Sequence, residues 1–151
     1  MDIGFGSGRD SLYFQSKGYE VYAIDPEEEF VEHGKELGIK NVFLLKVENM
    51  KFENMFDGIW ACASLLHVPS KNLEDAFKKC AKALKKGGIL YASFKYGEFE
   101  GLRNGRFYVD LNELSLETYT KDCGLIIVET SITYDVRPDR NEKWINVVFR
   151  K

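Results

Sequence analysis

Proline, cysteine and histidine are scarce in this chain of 151 residues, and neither basic nor hydrophobic residues are massed in one block. Three cysteines, Cys62, Cys80 and Cys123, lie far apart and form no CxxC pair. That argues against a disulfide framework and for a reducing compartment. Two histidines, His33 and His67, with no clustered Cys/His, offer no recognisable zinc site. The longest apolar run, 59–68, contains Ser64 and His67 and falls far short of the ~20 residues of a membrane helix. An acid follows Met1 at once, unlike a signal peptide. A cytoplasmic protein with no membrane partner is expected. With 21 Lys+Arg against 24 Asp+Glu the net charge is −3, so nucleic acid is not an expected partner either.

What is present is core material: 44% of residues are hydrophobic and 14% aromatic, enough for one domain over 1–151. Segments 19–24, 41–45, 58–63, 89–94, 126–134 and 144–149 have strand length and β-branched or aromatic content. Between them, Leu73, Phe77, Cys80 and Leu84 recur at helical spacing over 70–86, with Ser70 as a possible cap and Gly87-Gly88 at the end. Shorter helices are expected over 10–17, 27–37 and 112–123, each stopped by a glycine. Pro26, Pro69 and Pro138 punctuate the elements. Strand and helix alternate through Phe94, which predicts an α/β fold with a mostly parallel, doubly wound sheet. The last two strands lack a helix-length spacer and should form an antiparallel hairpin.

The most informative stretch is Asp2-Ile-Gly4-Phe-Gly6-Ser-Gly8-Arg-Asp10. Glycines at alternate positions between a strand end and a helix start let a ligand lie against bare main chain. A dinucleotide fingerprint, GxGxxG, would need its third glycine where Arg9 stands, which disfavours a nicotinamide oxidoreductase. The next strand, Tyr19-Glu-Val-Tyr-Ala-Ile-Asp25, ends on an acid from which a carboxylate can accept two ribose hydroxyls. The same Asp25 could instead cap the helix after it.

An acid followed by GxGxG resembles motif I of the class I methyltransferases that use S-adenosylmethionine. The stretches Phe56-Asp-Gly-Ile-Trp60-Ala-Cys-Ala-Ser-Leu-Leu-His67-Val and Leu84-Lys-Lys-Gly-Gly-Ile-Leu-Tyr91 resemble that family's fourth strand with its loop and the turn into its fifth. Within the family, Gly8-Arg-Asp-Ser-Leu-Tyr13 is similar to the small bacterial tellurite-resistance-like members. The resemblance implies a Rossmann-like sheet of seven strands, one of them antiparallel near an edge. It also implies S-adenosylmethionine as cofactor, with Gly4, Gly6 and Gly8 beneath it, Asp2 toward its methionine amino end and Asp25 on the ribose. Adenine would lie near Ile24 and Pro26 and meet Val47 or Glu48, while Ala61 and Cys62 border the cofactor. Lys46 stands where the family usually has an acid facing the adenine amino group.

Methyl transfer from a sulfonium is an in-line displacement that asks the protein to align and desolvate. A general base is needed only if the acceptor starts protonated. His67 is the candidate with a near-neutral reference pKa, although a histidine there could equally serve packing. Lys95, Arg103, Arg106 and Arg137 should reach the rim at the strands' carboxyl ends. There they would hold an anionic small-molecule acceptor or pair with Glu98, Glu100 and Asp135. Tyr96, Phe99, Phe107 and Tyr108 offer an aromatic acceptor wall or a self-packed loop. DNA amino methylation is disfavoured, because Ala61-Cys62-Ala63-Ser64 replaces the proline-containing motif of those enzymes.

The family carries a helix and most of a first strand ahead of the glycine loop, where this sequence has Met1-Asp-Ile3. A misassigned start, a fragment and a shortened protein are the readings this allows. The last would be a non-catalytic binding subunit, or a homodimer in which chains exchange a strand.

Overall fold

The computed structural model describes residues 1–137 and 140–151; Pro138, read above as an element boundary, lies outside the described residues. The chain runs β1 (Asp2–Ile3), α1 (Arg9–Ser16), β2 (Tyr22–Asp25), α2 (Glu28–Glu36), β3 (Asn41–Leu44), β4 (Phe56–Ala61), α3 (Ser70–Ala83) and β5 (Leu84–Lys95). It continues through β6 (Glu100–Arg103), β7 (Arg106–Val109), α4 (Glu113–Thr120), β8 (Ile126–Tyr134) and β9 (Lys143–Arg150). Seven strands form one sheet in the order β3-β2-β1-β4-β5-β9-β8. Five are parallel; β9 runs antiparallel to both β5 and β8. This is the doubly wound α/β sheet with the antiparallel C-terminal hairpin expected from the sequence.

Side chains alternate across the sheet, so neighbours on β2 serve different cores. Ile24 joins the larger cluster with Phe77, Phe94 and Phe149, while Ala23 joins the smaller one with Phe5, Val31 and Ile39. Phe77 meets Phe149 at 5.6 Å and Phe94 at 6.2 Å between ring centroids, and all three are fully buried. Each such burial stabilises by roughly 2–3 kcal/mol.

Several boundaries differ from the sequence reading, among them the start of β4 at Phe56 rather than 58, the start of β5 at Leu84 rather than 89 and the end of α4 at Thr120 rather than 123. Helix α3 stops at Ala83 rather than 86, because Leu84 is already paired with Phe56 of β4. Ser70 is inside the helix and caps nothing; its N–H is instead accepted by Glu100 Oε1 at 3.0 Å. The stretch read as a loop around Phe99 to Tyr108 contains the β6–β7 hairpin. Its turn residues Asn104 and Gly105 have φ of 51° and 80°, the left-handed pair of a tight hairpin turn.

On the face that carries α1, Trp60, Tyr91 and Val148 stand side by side on β4, β5 and β9, and α1 reaches Trp60 through Asp10 and Phe14. These residues line a cleft of 650 Å³ with Phe14, Tyr19 and Met55. The cleft continues into a slot below the two-residue β1, between Val21 and Tyr22 on one side and Phe56 to Ile59 on the other. At its upper end the Met1 ammonium donates to Gly58 O at 2.7 Å and Met1 O accepts from Trp60 N at 2.8 Å. Among the described residues no helix is long and apolar enough to cross a membrane.

Candidate functional site

The strand order reverses between β1 and β4, and in such sheets the crevice at the strands' carboxyl ends is where ligands bind. The glycine loop leaves β1 at that point. Gly4 N–H donates to Ile24 O at 2.8 Å, tying the loop to β2, and Gly6 N–H donates to Asp25 Oδ2 at 3.0 Å. Asp25 is 4% exposed, and its other oxygen accepts Glu27 N–H at 3.0 Å in the turn ahead of α2; the N-cap of that helix is Glu27, which receives no side-chain cap bond, so Asp25 holds the loop rather than capping the helix. A carboxylate offers about four acceptor positions. Two are used here, which leaves capacity for hydroxyls.

The glycines differ in what surrounds them. A Cβ on Gly4 would stand 2.5 Å from Ser64 Cβ, so the bare backbone allows the loops after β1 and β4 to touch. Nothing lies within 4 Å of a Cβ on Gly6, and its φ of 53° is left-handed. Main chain and open space therefore face each other at Gly6. Gly8 instead packs on the Leu37 and Ile39 side chains, 2.9 and 3.3 Å from its virtual Cβ. Its absent side chain thus serves helix packing in this structure.

Asp2 is 3% exposed and accepts a bond from Ser11 Oγ at 2.7 Å. Burial pushes its carboxyl up to about 6, against the opposing pull of that bond. Nearby, Trp60 Nε1 donates to Asp10 Oδ2 at 2.9 Å, which fastens α1 to β4. Leu45 N–H donates to Asp25 O at 3.0 Å and brings the chain after β3 beside the end of β2. There a single 3-10 turn, Val47–Asn49, buries Val47 and leaves Glu48 partly open, and Lys46 and Pro26 are both exposed. Ala61 is fully buried; Cys62 is half-buried, and burial raises its thiol above the ordinary value.

His67 closes the 3-10 turn Leu65–His67. Its Nδ1 lies 2.7 Å from Phe107 O, and its ring meets Tyr108 edge-on at 4.7 Å. A carbonyl only accepts, so Nδ1 carries the hydrogen and the lone pair of the neutral ring sits on Nε2. Burial lowers the imidazole below its ordinary value, and the Arg106 charge adds to the shift.

The hairpin that sequence reasoning missed builds the rest of this side. Tyr108 is bordered by Lys95 Nζ at 5.4 Å and by the Arg103 guanidinium at 5.6 Å. The rim cations are largely paired. Lys95 binds Glu142 at 2.6 Å, Arg103 forms a two-pronged bond to the buried Asp110 at 2.6 Å, and Arg137 binds Asp135 at 2.6 Å. Arg106 is exposed, with no ion pair among the described residues. Glu142 and Asp110 carried no signal in the sequence, whereas the Asn104-Gly105 dipeptide could have revealed the hairpin.

A family model described as a methyltransferase domain matches residues 1–92. An uncharacterized methyltransferase of Staphylococcus carnosus (strain TM300) is 25% identical over 160 residues, covering 99% of this chain and 77% of its own length. The putative methyltransferase YqeM of Bacillus subtilis (strain 168) is 30% identical over 109 residues, covering 65% of this chain; the match spans 44% of that relative. Among solved structures, a SAM-dependent methyltransferase from Methanosarcina mazei superposes with a TM-score of 0.86 at 20% identity, covering 99% of this chain and 90% of that one. A second is the 1,6-didemethyltoxoflavin-N1-methyltransferase of Burkholderia thailandensis, with bound 1,6-didemethyltoxoflavin and S-adenosylhomocysteine. It gives 0.83 at 22% identity, covering 99% of this chain and 69% of that one.

Proposed function

Since this chain belongs to the methyltransferase-domain family, we propose that it transfers a methyl group from S-adenosylmethionine to a small-molecule acceptor by in-line displacement, in the cytoplasm. One observation carries the reading: at the sheet's switch point the open backbone at Gly6 is held by the carboxylate of Asp25. Ser64 supports the fit, since its buried Oγ beside Gly4 has no partner among the described residues. The residues that would hold the cofactor are Gly4 and Gly6 along its length, Asp25 on its ribose, and Pro26, Val47 and Glu48 around adenine. Gly8 and Asp2 support the loop from behind, and Ala61 and Cys62 border it. When bound, S-adenosylmethionine supplies a methyl carbon already activated by its sulfonium.

The chain's own work is then placement and proton handling. His67 Nε2 is available to accept the proton of an acceptor that starts protonated, and Phe107 O fixes the ring for it. Tyr108 forms the acceptor wall. Lys95 and Arg137 would bind an anionic acceptor only by giving up Glu142 and Asp135, so Arg106 is the cation on which an anionic acceptor depends. The glycine loop's continuation through Tyr13 supports kinship with the tellurite-resistance-like members of the family.

Calorimetry with S-adenosylmethionine and S-adenosylhomocysteine tests the reading. Wild type should bind both, and Asp25→Ala should weaken binding by about 10- to 100-fold, the loss of charge-assisted bonds worth roughly 1.5–3 kcal/mol. Binding of NAD with no response to either sulfur ligand would overturn it.

A further inference from the structure

The loop leaving β4 contains a strained residue that substrate chemistry does not explain. Ala63 has φ of 50°. The other non-glycine residues with positive φ among the described ones are Asn54 and Asn104, of a type that tolerates the left-handed region. Alanine has no polar side chain to compensate, so its surroundings must hold it there. The holder is visible: Ala63 N–H donates to Ser93 Oγ at 2.8 Å. Ser93 is 2% exposed on β5, between the fully buried Ala92 and Phe94, and its hydroxyl also lies 3.9 Å from Cys62 Sγ. A hydroxyl inside that strand thus bonds to the loop of its neighbour.

The course of the chain beyond Ala63 depends on this left-handed step. Ser64 is placed against Gly4, closing the crevice beside the glycine loop. Leu65 and Leu66 then enter the core with no exposure, and the turn they form presents His67 to Phe107 and Tyr108. We propose that Ser93 is a positioning residue: its hydroxyl latches Ala63 in the left-handed conformation and thereby sets Ser64 at the crevice and His67 at the acceptor wall. The consequence for catalysis rests on the methyl-transfer reading; the latch itself does not. Without the hydroxyl, Ala63 is released toward the β or α regions it prefers, and both downstream residues shift with it.

The test uses glycine as the rescue, since glycine takes positive φ without steric cost. Ser93→Ala should move the NMR titration of His67 up toward an ordinary histidine value as its turn leaves the hairpin, and should weaken S-adenosylhomocysteine binding by about 10-fold. Adding Ala63→Gly to Ser93→Ala should restore both. From the other side, Ala63→Val with Ser93 intact should displace His67 in the same direction, because a β-branched residue resists the latched conformation. Circular dichroism on each sample keeps unfolding separate from displacement. An unchanged His67 titration in Ser93→Ala, or a double variant no better than the single one, would overturn the latch. If wild type binds no S-adenosylhomocysteine while the His67 titration responds and is rescued, the cofactor reading falls and the latch stands.

Discussion

Asp2 carries a charge where the fold gives it one hydroxyl and little water. Its carboxyl keeps a proton up to about 6 in the folded chain, against an ordinary 3.8 when unfolded. Folding therefore takes up a proton between those values, and this contribution to stability grows as pH falls from about 6 toward 4. Asp2→Asn, which removes the buried charge, should raise stability at pH 7–8 by up to about 3 kcal/mol and change little at pH 4; thermal melts across that range read the difference. At Gly6 the expectation is the reverse in kind. Gly6→Val should abolish cofactor binding while costing only the strain of a left-handed β-branched residue, because its Cβ meets no atom of the fold. Calorimetry and circular dichroism on one sample check both halves. Asp25 and the glycine loop were legible in the sequence because the chemistry of each is local, an acid at a strand end and glycines two apart. Ser93, Asp110 and Glu142 were not, since each acquires meaning from a partner that only folding supplies: Ala63 is 30 residues from Ser93, and Lys95 is 47 from Glu142.

Among the elements, the β6–β7 hairpin ties together the most. Glu100 holds the start of α3, Phe107 holds His67, and Arg103 is sandwiched between Phe99 and the carboxylate of Asp110. Arg103→Met would leave Asp110 buried without its counter-charge. Breaking a fully buried pair costs ~3–5 kcal/mol, and with the Arg103 side chain 31% exposed the loss here should be nearer 2 kcal/mol. Hydrogen exchange should localise the loosening to 100–109, with a raised KM for the acceptor as the functional sign. Helices and sheet strands were readable within a few residues because their apolar periods are intrinsic. The hairpin was hidden by its aromatics and cations, which read as a binding loop, while the turn dipeptide that organises them passed unused. The end of α3 was misplaced for a different reason: the pairing of Leu84 with Phe56 overrides the glycine signal three residues on.

At the scale of the whole molecule, two residues of β1 join β2 to β4 at the centre of the sheet. Below β1 the slot between β2 and β4 is two strand spacings wide, and the Met1 ammonium sits at its upper end. Burial lowers that amine from 8.0 to about 6. A seven-stranded sheet with one antiparallel strand near an edge was expected from the resemblance, whereas the depth of this cleft and its aromatic lining emerge only when Trp60, Tyr91 and Val148 are seen side by side on neighbouring strands. That arrangement has an optical consequence. The chain's two tryptophans face different ends of one sheet face: Trp60 is stacked on Tyr91 at 4.1 Å in the cleft, and Trp144 pairs with Lys95 at the rim. With Tyr91 and Lys95 four residues apart on β5, the two indoles are separated by roughly 13 Å along the strand. Quenching or a spectral shift of Trp60 therefore reports filling of the cleft, and a shift of Trp144 reports occupation of the rim at Lys95, where the acceptor is proposed to sit. With Trp60→Phe and Trp144→Phe as separate backgrounds, the protein carries its own fluorescent probe for each event.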